Sequence, residues 1–256
     1  MPEPHDEFYV GYLPQAPPGI ARRARFLVVL ILLVGVVVAL TLVRGQARFD
    51  PAFYEFGVQR EFTGFVVEEP YPSLFVAWPG KSGRRSIVSS YALVLFGKHG
   101  AAAEVAGFDG RWVRLSGELI YRDGQVMIQI VSGTLQPAVP LPFLLPHAEE
   151  SLGEMTLVGE IVDSKCFLGV MKPGRLKPHR ACAVRCISGG IPPVLLVRDA
   201  QERATYFWLV SREGLPVNRQ VLDRVAEPVE IRGEVVRRGN RLLLRSDPAT
   251  YRTPGS

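Results

Sequence analysis

The chain has 256 residues, 47% of them hydrophobic and 21% charged, with a net charge of +5 from 30 basic and 25 acidic side chains. That is the composition of a folded chain of one or two domains, and it excludes a wholly disordered one. The charge is too mild to imply a polyanion partner, and three cysteines are too few for a disulfide scaffold.

Residues 1–25 read as a Pro-rich cytoplasmic tail with Phe8, Tyr9 and Tyr12 clustered in it. The expectation is a disordered segment whose aromatics rest at a membrane interface, with a docking peptide as the sharper reading. Residues 26–43, FLVVLILLVGVVVALTLV, are 18 uncharged residues in a row. At about 1.5 Å per residue they reach about 27 Å, enough for a bilayer core. The run is apolar all round, whereas a buried core helix needs only an apolar stripe. Arg22, Arg23 and Arg25 precede it, and Arg44 and Arg48 follow, which biases the N-terminus inward and the rest of the chain out of the cytoplasm. A cleaved signal peptide competes, because Gly45-Gln46-Ala47 offers small residues at a cleavage offset. The apolar run is longer than the ~7–15 residues of a signal core, which favours an uncleaved anchor.

Beyond residue 50 the pattern is of short strands punctuated by Gly and Pro. Glu61–Val67 resembles Met155–Val162, Tyr91–Phe96 resembles Val194–Val197, and Trp112–Ile130 resembles Val229–Leu244. Each last segment is a hairpin, with a turn at Asp123-Gly124 or Gly239-Asn240. The same elements in the same order make an internal repeat. Residues 55–136 and 150–252 are expected to form two β domains, joined by a Pro-rich linker over 137–149. About five short strands, with a Gly in the first and a hairpin last, look like an OB-type barrel. The fold class expected is therefore mainly β: one transmembrane helix, then two tandem small OB-like barrels, the second with a short helix.

The two copies differ in length. Gly64 to Gly117 is 53 residues and Gly159 to Gly233 is 74, so the second copy carries 21 more. About eight of these are placed before its middle strand, where all three cysteines fall. Binding residues tend to ride on loops over a rigid scaffold, which points to this insertion.

The insertion contains Cys166, His179, Cys182 and Cys186. From His179 the spacing is i, i+3, i+7, one face of a helix. Pro178 suits the first turn of such a helix and Ser188-Gly189-Gly190 its end. Three thiols and an imidazole make a four-ligand set of the kind zinc accepts; soft ligands also suit copper(I), with Met171 offering a thioether. A second reading is a structural disulfide with one spare thiol. A third is a reactive thiol for redox work, favoured by Lys165, Lys172, Arg175, Lys177, Arg180 and Arg185, with His179 as base. Those six cations could equally bind an anionic ligand or an acidic partner. Asp163, three residues before Cys166, could orient His179, pair with the basic loop, or simply end a strand as a turn carboxylate.

The residues DSKC, then H-x-x-C-x-x-x-C and a Gly-Gly, resemble a group of uncharacterised bacterial exported or membrane-anchored proteins with small β domains. The resemblance covers the second domain and implies a fold and a shared site, with no activity to carry over. In the first copy Tyr71 stands near the place of Cys166, and no His–Cys–Cys segment follows.

The expected partners are the lipid bilayer and a membrane or extracytoplasmic protein. Tyr206, Phe207 and Trp208 in a basic domain would suit a stacking groove for single-stranded nucleic acid. A location outside the membrane argues against that, as does a strand-like context in which aromatics are usually core. His99, in Gly97-Lys98-His99-Gly100, reads as a solvent-exposed histidine, and the segment lacks the spacing of a phosphate-binding loop. The role these features point to is a membrane-anchored binding or assembly protein, accessory to a membrane redox or metal-handling system, rather than a catalyst.

Overall fold

The computed structural model describes residues 16–46, 52–78, 87–140 and 149–255. The chain divides into two compact units, 1–50 and 51–256. In the first, α1 (Pro18–Gln46) holds the apolar run. It has a mean hydropathy of 3.3 over its best 18 residues and none of that window is buried, so by length and composition it can cross a membrane. The helix starts before the predicted span and takes in Arg22, Arg23 and Arg25. The clustered aromatics of the tail lie outside the described residues, as does most of the Pro-rich linker.

The second unit holds two closed five-stranded barrels. The first is built from β2 (Arg60–Val67), β3 (Ser73–Trp78), β4 (Ile87–Val94), β5 (Trp112–Arg122) and β6 (Gln125–Ile130). Two-residue strands β1 (Phe53–Tyr54) and β7 (Gln136–Pro137) pair along β5, and the short α2 (Ala102–Val105) bridges β4 to β5. The second barrel comprises β8 (Glu150–Asp163), β9 (Pro193–Arg198), β10 (Ala204–Val210), β11 (Pro228–Arg238) and β12 (Arg241–Arg245).

Strand order is β2-β3-β4-β6-β5 in one barrel and β8-β9-β10-β12-β11 in the other, each closing on its first strand. In both, the third and fifth strands run parallel and every other pairing is antiparallel. This is the OB arrangement. Alternation drives it: β2 buries every second residue from Phe62 to Val66, and β5 buries Val113, Leu115 and Ile120. Gly64 and Gly159 stand where the first strand presses on the second. A Cβ on Gly64 would lie 2.5 Å from Phe75 O, and one on Gly159 2.5 Å from Leu196 O.

One correspondence read from the sequence is wrong. Tyr91–Phe96 falls in and after β4, the third barrel strand, whereas Val194–Val197 belongs to β9, the second. The equivalent of β9 in the first barrel is β3. The insertion therefore lies wholly in the first inter-strand loop: residues 68–72 in one barrel, 164–192 in the other.

The barrels share a core. Tyr71, Ala92, Val94, Ile120 and Met127 of the first pack with Cys166, Phe167, Cys186, Ile191, Tyr206 and Trp208 of the second. Tyr71 Oη donates to Leu209 O (2.7 Å) and Tyr206 Oη to Asp123 Oδ2 (2.6 Å). Tyr206, Phe207 and Trp208 are all buried, so they do not form a surface for stacking bases.

Candidate metal centre at the joint of the barrels

The insertion leaves β8 at Asp163, which is fully buried. Its carboxylate does two things. Oδ1 accepts the Cys166 N–H at 2.8 Å and starts a π turn over Cys166–Val170; Oδ2 lies 2.9 Å from His179 Nε2. After a single 3₁₀ turn at Lys177–His179, α3 (Arg180–Ser188) carries Cys182 and Cys186. Pro178 sits in that turn, and Gly189-Gly190 follow the helix, as the sequence predicts.

The candidate ligands converge. Single ligand atoms of Cys166, His179 and Cys182 all lie within 4.8 Å of one another, and so do those of Asp163, Cys166 and Cys186. Cys166 belongs to both groups. All three cysteines are free, and Cys166 Sγ is 3.9 Å from Cys186 Sγ. Tetrahedral zinc with bonds of about 2.3 Å to sulfur needs sulfurs about 3.8 Å apart, so this pair is already spaced for it. With Nε2 committed to Asp163, Nδ1 is the ring nitrogen open to a metal. A carboxylate behind a ligating histidine fixes its tautomer and raises its basicity. The four residues thus form a cluster that could hold a metal ion.

The thiols are electrostatically unequal. Cys186 is held below the usual thiol range, first by the hydrogen bond from Cys166 and further by Lys98, with burial opposing. Cys166 is pushed far up because it is the donor in that bond, is buried, and faces Asp163.

Lys98 is the residue that sequence reasoning missed. It comes from the first barrel, and its Nζ lies 2.7 Å from Cys182 Sγ and 3.8 Å from Cys186 Sγ. The contact with Cys182 is the main reason its pKa is raised. A partner 84 residues away leaves no local signal. His99, next to it, is exposed as expected.

Lys165 needs a correction. Read as a surface cation for an anion or partner, it is 2% exposed, and its Nζ donates to Leu95 O (2.7 Å) and Gly97 O (2.9 Å). Burial lowers its pKa to about 8. It clamps the turn that bears Lys98. The glycines do the same from the other side: Gly100 N donates to Gly189 O at 2.9 Å, and a Cβ on Gly189 would run into Lys98 O. Arg180 is also engaged, paired with Glu227 and donating to Asp223 O. Lys172, Lys177 and Arg185 are exposed and Arg175 is half-buried. Met171 is exposed as well, which places it at the surface.

No protein-family model and no curated protein matches the chain. Among solved structures, a deletion mutant of the single-stranded DNA binding protein from Thermus aquaticus aligns with 80% of this chain and 96% of its own, at 16% identity and a TM-score of 0.22. So loose a superposition carries no argument about function, and the barrel topology stands on its strand order. Fold and site together define the class: a two-barrel OB-type protein with a Cys–His cluster where its barrels meet, preceded in the chain by a helix able to cross a membrane.

Proposed function

We propose that the chain is a membrane-anchored, extracytoplasmic binding or assembly protein that holds a zinc or copper ion on Cys166, His179, Cys182 and Cys186. It would serve a membrane redox or metal-handling system as an accessory. The observation that carries this is the convergence of three free thiols and a buried imidazole already oriented by Asp163. A buried His–Asp pair beside thiols is costly for stability alone and profitable for a metal. Lys98 offsets the negative charge that three thiolates place on a divalent or monovalent ion. Topology rests on the apolar α1 and on the three arginines before the apolar run against two after it.

A thiol redox role is the second reading, favoured by the 3.9 Å approach of Cys166 and Cys186 and by the lowered pKa of the latter. Cobalt(II) substitution separates the two. The metal reading predicts a tetrahedral, thiolate-rich Co(II) spectrum that weakens stepwise in Cys166→Ser, Cys182→Ser and Cys186→Ser. Absence of any thiolate-to-metal band in the wild type contradicts it.

A further inference from the structure

A cleft lies on the seam between the barrels. It is lined by Tyr71, Ser73, Phe75 and Ser90 of the first barrel and Trp208, Arg238 and Arg241 of the second, with Val67, Pro70 and Leu243 adding apolar wall and Glu69 the one acidic residue. The space open to a water-sized group is about 20 Å³, room for a water or a carboxylate oxygen.

Two of its lining side chains carry buried polar atoms without a hydrogen-bond partner among the described residues. Arg241 is 8% exposed and stacks its guanidinium over Trp208, 4.5 Å from the ring centre. Nη1 donates to Ser73 Oγ at 2.8 Å. Nη2 is buried without a hydrogen-bond partner among the described residues, and so is the indole Nε1 of Trp208. No carboxylate among the described residues pairs with Arg241. The charge that shifts it is another cation, Arg238, whose Nη1 donates to the backbone of Glu69. Glu69 itself is exposed. Burial and Arg238 together pull the Arg241 pKa down to about 9. Buried arginines are normally paired, because an unpaired internal charge is expensive. A water would satisfy the free N–H groups and leave the charge uncompensated. An anion satisfies both.

We propose that this cleft binds a carboxylate carried on an apolar stem, with Arg241 as its anchor, Trp208 Nε1 as a second donor and Arg238 at the mouth. The small enterable space and the apolar wall favour an organic acid over a bulky inorganic oxyanion. The site is independent of the metal reading.

The test uses the full-length chain in detergent micelles, labelled with ¹⁵N-tryptophan. The Trp208 indole signal is assigned by elimination with Trp78→Phe and Trp112→Phe. Sodium butyrate is titrated at constant ionic strength against butyramide, sodium chloride and sodium phosphate. The expected result is a saturable shift of the Trp208 indole with butyrate alone, and a several-fold weaker apparent affinity in Arg238→Gln, a half-buried position that leaves Arg241 and Trp208 in place. A leucine-terminated tripeptide and its C-terminal amide then tell a chain terminus from a free small acid: tighter binding of the peptide assigns the former, tighter binding of butyrate the latter. No shift with butyrate or with the tripeptide, an equal shift with butyramide or chloride, or a shift with phosphate alone overturns the proposal. The wild-type titration needs no Arg241 variant, so a folding defect in Arg241→Gln does not enter.

Discussion

Gly189→Ala probes the seam that brings Lys98 to the thiols. Gly189 has φ −82°, ψ 4°, a conformation alanine adopts freely, so backbone strain is not at issue. The cost is steric: the new methyl would overlap Lys98 O by more than ~1 Å against an ordinary contact of ~3.5 Å. Overpacking of this kind costs about 1–3 kcal/mol. Separating the two segments also forfeits the 2.9 Å bond from Gly100 N to Gly189 O, about 1 kcal/mol more. A total near 3 kcal/mol lowers Tm by roughly 6–12 °C in a unit of this size. Circular dichroism reads the melt, and amide exchange reads Gly100, whose protection should be lost. Gly107→Ala is the control: at φ +82° it is strained, yet nothing lies within 4 Å of its Cβ. It should cost about 1–2 kcal/mol and leave Gly100 protected. A Gly189→Ala protein that melts within 2 °C of wild type with Gly100 still protected would refute the close-seam reasoning (the 2 °C margin is roughly 1 kcal/mol or less).

Three other substitutions follow from the same geometry. Asp163→Asn weakens the buried bond to His179, and metal affinity measured against a chromophoric chelator should fall about 10–100-fold; an unchanged affinity would count against His179 as a ligand. Lys165 has a folded pKa of about 8 against 10.5 unfolded, so between those values the unfolded chain holds a proton the folded one has lost. Wild-type stability relative to Lys165→Met should therefore rise with pH from 8 to 10.5, at up to about 1.4 kcal/mol per unit; denaturant melts showing a flat difference would contradict the buried placement. Tyr71→Phe removes the donor to Leu209 O and strands the Val217 N–H that it accepts, at about 2 kcal/mol, read as a Tm drop of roughly 4–8 °C; no drop would argue against the shared core.

What the sequence revealed and what it hid divide along physical lines. The apolar α1 and the alternating strands announce themselves, because period and hydropathy are local properties. Cys166, His179, Cys182 and Cys186 stood out because thiols are scarce and the i, i+3, i+7 spacing puts three of them on one helical face. Asp163 could be suspected for its nearness to Cys166. Pairing is another matter. Tyr91–Phe96 and Val194–Val197 are both short buried apolar runs, and nothing in such a run states which neighbour it joins. Lys165 reads as one cation among six until the 95–97 turn of the other barrel is laid against it. Lys98 has no local mark at all, since its charge meets Cys182 only once both barrels have closed and docked.

The central claim is the metal centre, and it meets its most direct test in one sample. The full-length chain, exported, purified in detergent without chelator, is submitted to elemental analysis and to a free-thiol count under denaturing conditions. The account predicts about one zinc or copper per chain, three countable thiols once the ion is removed, and joint loss of the ion in His179→Ala and Cys186→Ser. A chain with no metal and a single free thiol would contradict it, and would show that two of the three cysteines form a disulfide.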